Sequence, residues 1–193
     1  MKVRDEKLPI WTLPNRLSII RILFIPIIIL CMEKGFPLSA FLLFLIAGIT
    51  DGLDGFMARR LSMTTRLGLY LDPIADKLLV SSVLITLTYE NLVPLWMTII
   101  LVCREFLING LRSFYAMEGI TVYPSLSGKL KTMLQIIGIA CILFDSGSGG
   151  LLRNTLLDKI GLYILYAALF FSLYSAWHYI AAIFKPTAKD NNQ

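Results

Sequence analysis

Apolar residues run along this chain in six long stretches, approximately 17–32, 38–58, 73–89, 92–115, 128–144 and 156–184, with short polar intervals between them. A helix needs about 20 mainly apolar residues to cross a bilayer. Each stretch therefore predicts one membrane-spanning helix, and the pattern as a whole predicts an all-α integral membrane protein with six transmembrane helices. The stretches use nearly all of the 193 residues. One six-helix domain is thus expected over 14–185, preceded by a segment 1–13 and followed by a C-terminal tail 186–193.

The polar intervals carry turn chemistry. The connection 60–66, with Ser62, Thr64 and Thr65, predicts a tight turn, and 117–127 is a loop holding Gly119, Pro124 and Ser125. The Gly/Ser run 145–150 reads as a linker, since it lacks the Lys-Ser/Thr ending of a phosphate-binding loop. Pro14 suits a first helical turn, where a missing N–H costs nothing, and marks the start of the first helix. Ahead of it Lys2, Arg4, Asp5, Glu6 and Lys7 precede Leu8, Ile10, Trp11 and Leu13. That order predicts an N-terminal interfacial segment resting on membrane lipid, with a disordered tail as the alternative. The first apolar stretch has no small-residue cleavage pattern and is followed by further spans, so no removable signal peptide is expected.

Composition agrees with the pattern: 56% of residues are apolar and 16% charged, against roughly 45–50% apolar in a soluble domain. Mean hydropathy is +0.72. The net charge of +5 is informative through its placement. Of 18 Lys and Arg, thirteen fall at or near the termini or in or beside the second and fourth connections, three (Lys34, Arg153, Lys159) in or beside the others, and the remaining two (Lys77, Arg104) are assigned to the spans themselves. The inside-positive bias then puts both termini in the cytoplasm. No nucleic-acid partner is expected. Cys31, Cys103 and Cys141 are odd in number and each lies in an apolar run, which predicts buried small hydrophobes without a disulfide or thiolate site.

Four aspartates break the apolar background: Asp51 and Asp54 near the end of the second stretch, Asp72 and Asp76 near the start of the third. Residues three or four apart share a helical face. Asp51, Asp54 and Ala58 form one stripe and Gly68, Asp72 and Asp76 another, and the two can face each other across the turn. Ionisable groups in membrane segments are costly and usually functional. Carboxylates packed this closely repel one another, and hard divalent cations with oxygen ligands, Mg²⁺ or Mn²⁺, relieve the repulsion. Four suit a pair of ions about 3.5–4 Å apart that hold a diphosphate and stabilise its leaving oxygen. Gly55, Ala58 and Gly68 permit close approach of a helix or a flat ligand, and Arg59 offers a fork suited to phosphate. A purely structural alternative makes Asp72 a helix cap before a first-turn Pro73. It leaves the agreement at the other positions to chance.

The arrangement Asp51-x2-Asp54-Gly55-x2-Ala58-Arg59-x8-Gly68-x3-Asp72-x3-Asp76 resembles the complete signature of the CDP-alcohol phosphotransferases. Members of that family are six-helix membrane enzymes, commonly homodimers, that transfer a phosphatidyl or related group from a CDP-linked donor to an alcohol and release CMP. The resemblance implies that Asp51, Asp54 and Asp72 ligate metal, and that Asp76 both ligates metal and acts as base on the acceptor hydroxyl. It implies that Gly55, Ala58, Arg59, Thr65 and Gly68 surround the CDP moiety. Asn15 and Ser18 either reach the nucleotide or cap the first helix.

Weaker side motifs bear on the acceptor. Pro14-Asn15-x2-Ser18-x2-Arg21, Asp72-Pro73-x-Ala75-Asp76-Lys77-Leu78, Arg104-Glu105-Phe106 with Leu111-Arg112, and Gly128-Lys129-x-Lys131-Thr132-x2-Gln135 resemble the branch of the family that joins CDP-diacylglycerol to sn-glycerol 3-phosphate. The cardiolipin-forming branch shares part of them. A phosphorylated acceptor suits Arg104, Arg112, Lys129 and Lys131, near the cytoplasmic ends of the fourth and fifth stretches; alternatively these cations only satisfy the inside-positive bias. Glu105, seven residues before Arg112 on the same helical face, would orient that arginine. Serine or inositol phosphate as acceptor remains open, and from another class a divalent-cation transporter, although the acids cluster at one end rather than along a path through the membrane. His178, between Trp177 and Tyr179, reads as an interfacial packing residue. The expected location is a bacterial inner or plasma membrane, with the active site facing the cytoplasm.

Overall fold

The structure, a computed structural model, describes the backbone of residues 13–61, 66–117, 126–147 and 156–184, and side chains over 18–50, 74–115, 128–147 and most of 157–181. These residues form six α-helices and no strand: α1 (Leu13–Glu33), α2 (Pro37–Leu61), α3 (Arg66–Tyr89), α4 (Leu95–Met117), α5 (Leu126–Gly147) and α6 (Leu156–Phe184). Each apolar stretch falls on one helix. The interfacial segment proper and the C-terminal tail lie outside the described residues.

Helix ends depart from the apolar boundaries where hydropathy stops but hydrogen bonding does not. Pro14 lies in the first turn of α1 as expected. Ser18, four residues further on, is inside the helix and cannot cap it. α3 begins at Arg66, so Asp72 and Pro73 sit two turns inside it rather than at its start. That removes the capping explanation for Asp72. α5 likewise continues to Gly147, through half of the expected Gly/Ser linker.

Two tight turns tie the helices into hairpins. After α1, Gly35 has φ 77°, its N–H donates to Met32 O, and the N–H of Phe36 donates to Cys31 O at 2.8 Å. After α3, Asn91 has φ 59°, its N–H donates to Thr88 O, and the N–H of Leu92 donates to Leu87 O at 2.9 Å. Both are left-handed C-terminal caps that satisfy the last carbonyls, with Gly and Asn the residues that tolerate the conformation. Pro37 and Pro94 follow each turn, where neither can extend the preceding helix.

α1 packs on α2 and α3, α2 on α5, and α5 most extensively on α6, with α4 held by α3 and α6. The shared core contains Ile28, Phe44, Leu84, Met97, Leu143 and Leu165. Glycine lets α5 and α6 approach: a Cβ on Gly161 would stand 2.7 Å from Ile142 Cγ1 and 3.1 Å from Gly138 O. Small residues at a helix interface are a recurrent way to bring membrane helices together. Gly161→Ala is expected to overpack this contact at a cost of about 1–3 kcal/mol, read as a lower melting midpoint in detergent; an unchanged or raised midpoint would show that the interface can give.

Large apolar side chains point outward on every helix, among them Leu23, Leu42, Ile85, Leu107, Met133 and Phe170. Within the described residues, Gly128–Gly147 and Lys159–Ala181 are long and apolar enough to cross a membrane, and Pro37–Thr50 is a shorter apolar helix. Cys103 corrects an expectation: it is exposed on the outer face of α4, while Cys31 and Cys141 are partly buried, and all three are free.

Candidate active site

The acid-bearing segments are the last turns of α2, with Asp51, Asp54, Gly55, Ala58 and Arg59, and the first turns of α3, with Gly68, Asp72 and Asp76. Residues 62–65, including Thr65, lie outside the described residues. Five peptide steps from Leu61 to Arg66 reach at most about 18 Å, and α2 touches α3, so the acids collect at one end of the molecule. The helical backbone holds Asp51 with Asp54, and Asp72 with Asp76, at spacings of three and four. The side chains of Asn15, Asp51, Asp54, Gly55, Ala58, Arg59, Gly68 and Asp72 are outside the described residues. As a donor set the segment 51–76 fits Mg²⁺ or Mn²⁺: it offers four carboxylates and neither His nor Cys.

Asp76 is the member of the four whose side chain is described, and it is half-buried. It lies on the wall of a cavity between α3, α4 and α5, together with Lys77, Ser81, Glu105, Thr132 and Gln135. Val80, Leu101 and Val102 supply the apolar part of the lining. Thus the Asp76 carboxylate opens onto a mixed-charge cavity.

The polar end of that chamber is a cation cluster around Glu105. Lys131 Nζ donates to Glu105 Oε2, Arg104 Nη1 lies 3.5 Å from the same oxygen, and Lys77 Nζ is 4.0 Å from Oε1. Lys131 is 3% exposed and Arg104 9% by side chain. Arg104 Nε is buried without a hydrogen-bond partner among the described residues. Exposed Arg112 lies farther along α4, within electrostatic range of Lys77 and Arg104.

Two expected acceptor contacts, Arg104 and Lys131, are therefore brought together, Arg112 borders them, and Lys129 is exposed on α5. Glu105 serves a different partner from the one expected, pairing with Lys131, Lys77 and Arg104 rather than with Arg112. Lys77 was absent from the expected contacts. Its signal was already visible, because a lysine inside an apolar stretch is costly unless it has a task or a counterion. Ser18 and Arg21 are buried on α1 at 0% and 2% exposure. His178 is exposed and its Nε2 lies 3.0 Å from the Tyr174 hydroxyl, an arrangement of packing at the end of α6.

The family model for CDP-alcohol phosphatidyltransferase matches residues 11–183. The chain belongs to this family. The CDP-alcohol phosphatidyltransferase match spans all six helices apart from the final residue of α6. Similar curated proteins carry the name CDP-diacylglycerol--glycerol-3-phosphate 3-phosphatidyltransferase. The one from Bacillus subtilis (strain 168) is 37% identical over 186 residues, covering 89% of this chain and 94% of its own. That of Rickettsia bellii (strain RML369-C) is 39% identical over 173 residues, covering 88% and 94%. That of Shigella flexneri serotype 5b (strain 8401) is 32% identical over 180 residues, covering 89% and 94%.

Proposed function

We propose that the protein transfers the phosphatidyl group of CDP-diacylglycerol to sn-glycerol 3-phosphate, giving phosphatidylglycerol phosphate and CMP, as a step of phospholipid biosynthesis. The observation that carries this reading is the position of Asp76, which belongs to the acid cluster and also lines the cation-bordered cavity. A nucleophile held in that cavity by its phosphate would have its hydroxyl beside a carboxylate. The names of the similar proteins support the same donor and acceptor.

In the proposed reaction the acceptor hydroxyl oxygen forms a bond to the phosphorus that bears diacylglycerol. The bond from that phosphorus to the bridging oxygen of CMP breaks, and CMP leaves with the electron pair. The hydroxyl proton passes to Asp76. A carboxylate is a weak base, so the proton moves late, as charge leaves the nucleophile. Asp51, Asp54, Asp72 and Asp76 would hold two Mg²⁺ or Mn²⁺ ions, which when bound neutralise the diphosphate and stabilise the departing oxygen. Gly55, Ala58, Arg59, Thr65 and Gly68, with Asn15 and buried Ser18, would border the CDP group. Arg104, Arg112, Lys129 and Lys131 would attract the acceptor phosphate, Arg through forked donors and Lys as point charges.

The apolar outer faces and the charge bias support a six-span arrangement in a bacterial inner or plasma membrane, with both termini and the acid end in the cytoplasm. The family resemblance supports a homodimer. In detergent with Mg²⁺ or Mn²⁺, CMP is expected to appear when CDP-diacylglycerol and glycerol 3-phosphate are both present. Serine, inositol phosphate and phosphatidylglycerol are expected to give none. Release with one of these instead of glycerol 3-phosphate would reassign the acceptor.

A further inference from the structure

We propose that Glu105 is a positioning residue for the acceptor: its carboxylate holds Lys131 and Lys77 converged on the cavity beside Asp76, so that they receive the phosphate of a phosphorylated alcohol. This rests on the acceptor reading above. Three observations carry it. The first is that one carboxylate gathers cations from three helices, Lys77 of α3, Arg104 of its own α4 and Lys131 of α5. The second is that α4 and α5 make no close backbone contact among the described residues, so the Glu105–Lys131 pair spans the gap in which the cavity lies. The third is that the network has capacity left over, because Arg104 Nε is buried without a hydrogen-bond partner among the described residues.

A negative group at an anion site looks paradoxical until the cations are considered without it. Three like charges this close would splay apart, and Lys131, almost fully buried, would lose the carboxylate to which it donates. An ammonium has three protons. Lys131 gives one to Glu105 and keeps others for a ligand oxygen, so the pairing aims the lysine without using it up. Three cations outnumber Glu105 by two, so the cluster stays net positive toward a phosphate monoester of roughly −1.5 to −2, even with Asp76 on the same cavity wall.

The test compares wild type with Glu105→Gln, which keeps the shape and removes the charge, and with Glu105→Asp, which keeps the charge on a shorter stem. CMP release is followed while glycerol 3-phosphate and CDP-diacylglycerol are varied in turn. Glu105→Gln is expected to raise the KM for glycerol 3-phosphate about tenfold or more, with the KM for CDP-diacylglycerol within about twofold. Glu105→Asp is expected to recover part of the loss. KM does not depend on how much of a preparation is folded, so a packing role alone would lower the total rate and leave it in place. An acceptor KM for Glu105→Gln equal to that of the wild type overturns the role of Glu105 and leaves the proposed reaction standing. A wild type that uses serine and ignores glycerol 3-phosphate overturns both.

Discussion

Asp76→Asn is expected to slow CMP release by about 10²- to 10⁴-fold while CDP-diacylglycerol still binds. Asparagine has nearly the same shape, so α3 and the cavity wall should persist, but it cannot accept the proton of an attacking hydroxyl. Asp51, Asp54 and Asp72 remain on their helices to hold the donor through divalent ions. The comparison needs saturating glycerol 3-phosphate for turnover, and the thermal shift produced by CDP-diacylglycerol for binding. A role in ligation alone would be repaired by raising Mg²⁺ or Mn²⁺, whereas loss of a base would not. Wild-type turnover in the Asn variant would remove Asp76 from the reaction altogether. The prediction depends on where Asp76 stands: it is half-buried on the cavity wall with Lys77 and Glu105, between the acid-bearing helix ends and the cation cluster.

Most of the helical architecture was legible in the sequence because the apolar runs are of helical length and separated by turn residues, and each run became one helix. Helix starts were less legible. Pro73 suggests a first helical turn, yet α3 runs back through Leu71, Leu69 and Leu67 to Arg66, as the helical stripe Gly68, Asp72 and Asp76 requires. Helical spacing also finds only neighbours on the same helix, which is why it paired Glu105 with Arg112. The partner that the fold supplies, Lys131, is 26 residues away on a helix whose backbone does not approach α4 closely. Cys103 shows the same limit in reverse, since an apolar run does not say which of its faces looks outward. The acid motif was readable for the opposite reason: its meaning lies in spacing along α2 and α3, and spacing is what a sequence records.

Chelating divalent ions should bring CMP release to background, and Mg²⁺ or Mn²⁺ should restore it while monovalent salt does not. Two carboxylates about 4 Å apart repel by roughly 4 kcal/mol at an effective dielectric constant near 20. Asp51, Asp54, Asp72 and Asp76 occupy adjoining helix ends, and the diphosphate of the donor would add negative charge to the same place. Without compensating cations the donor and the acids exclude one another, so chelation is expected to abolish CDP-diacylglycerol binding along with turnover. Asp54→Asn should then raise the metal concentration needed for half-maximal rate, since one oxygen donor pair is replaced by a neutral amide. The cations around Glu105 are not expected to substitute, because Lys77 and Lys131 converge on a carboxylate on the acceptor side, where the acceptor phosphate rather than the diphosphate would take up their remaining donors. A chelated, metal-free protein that still released CMP at the wild-type rate would mean that those lysines, and not the aspartates, neutralise the diphosphate.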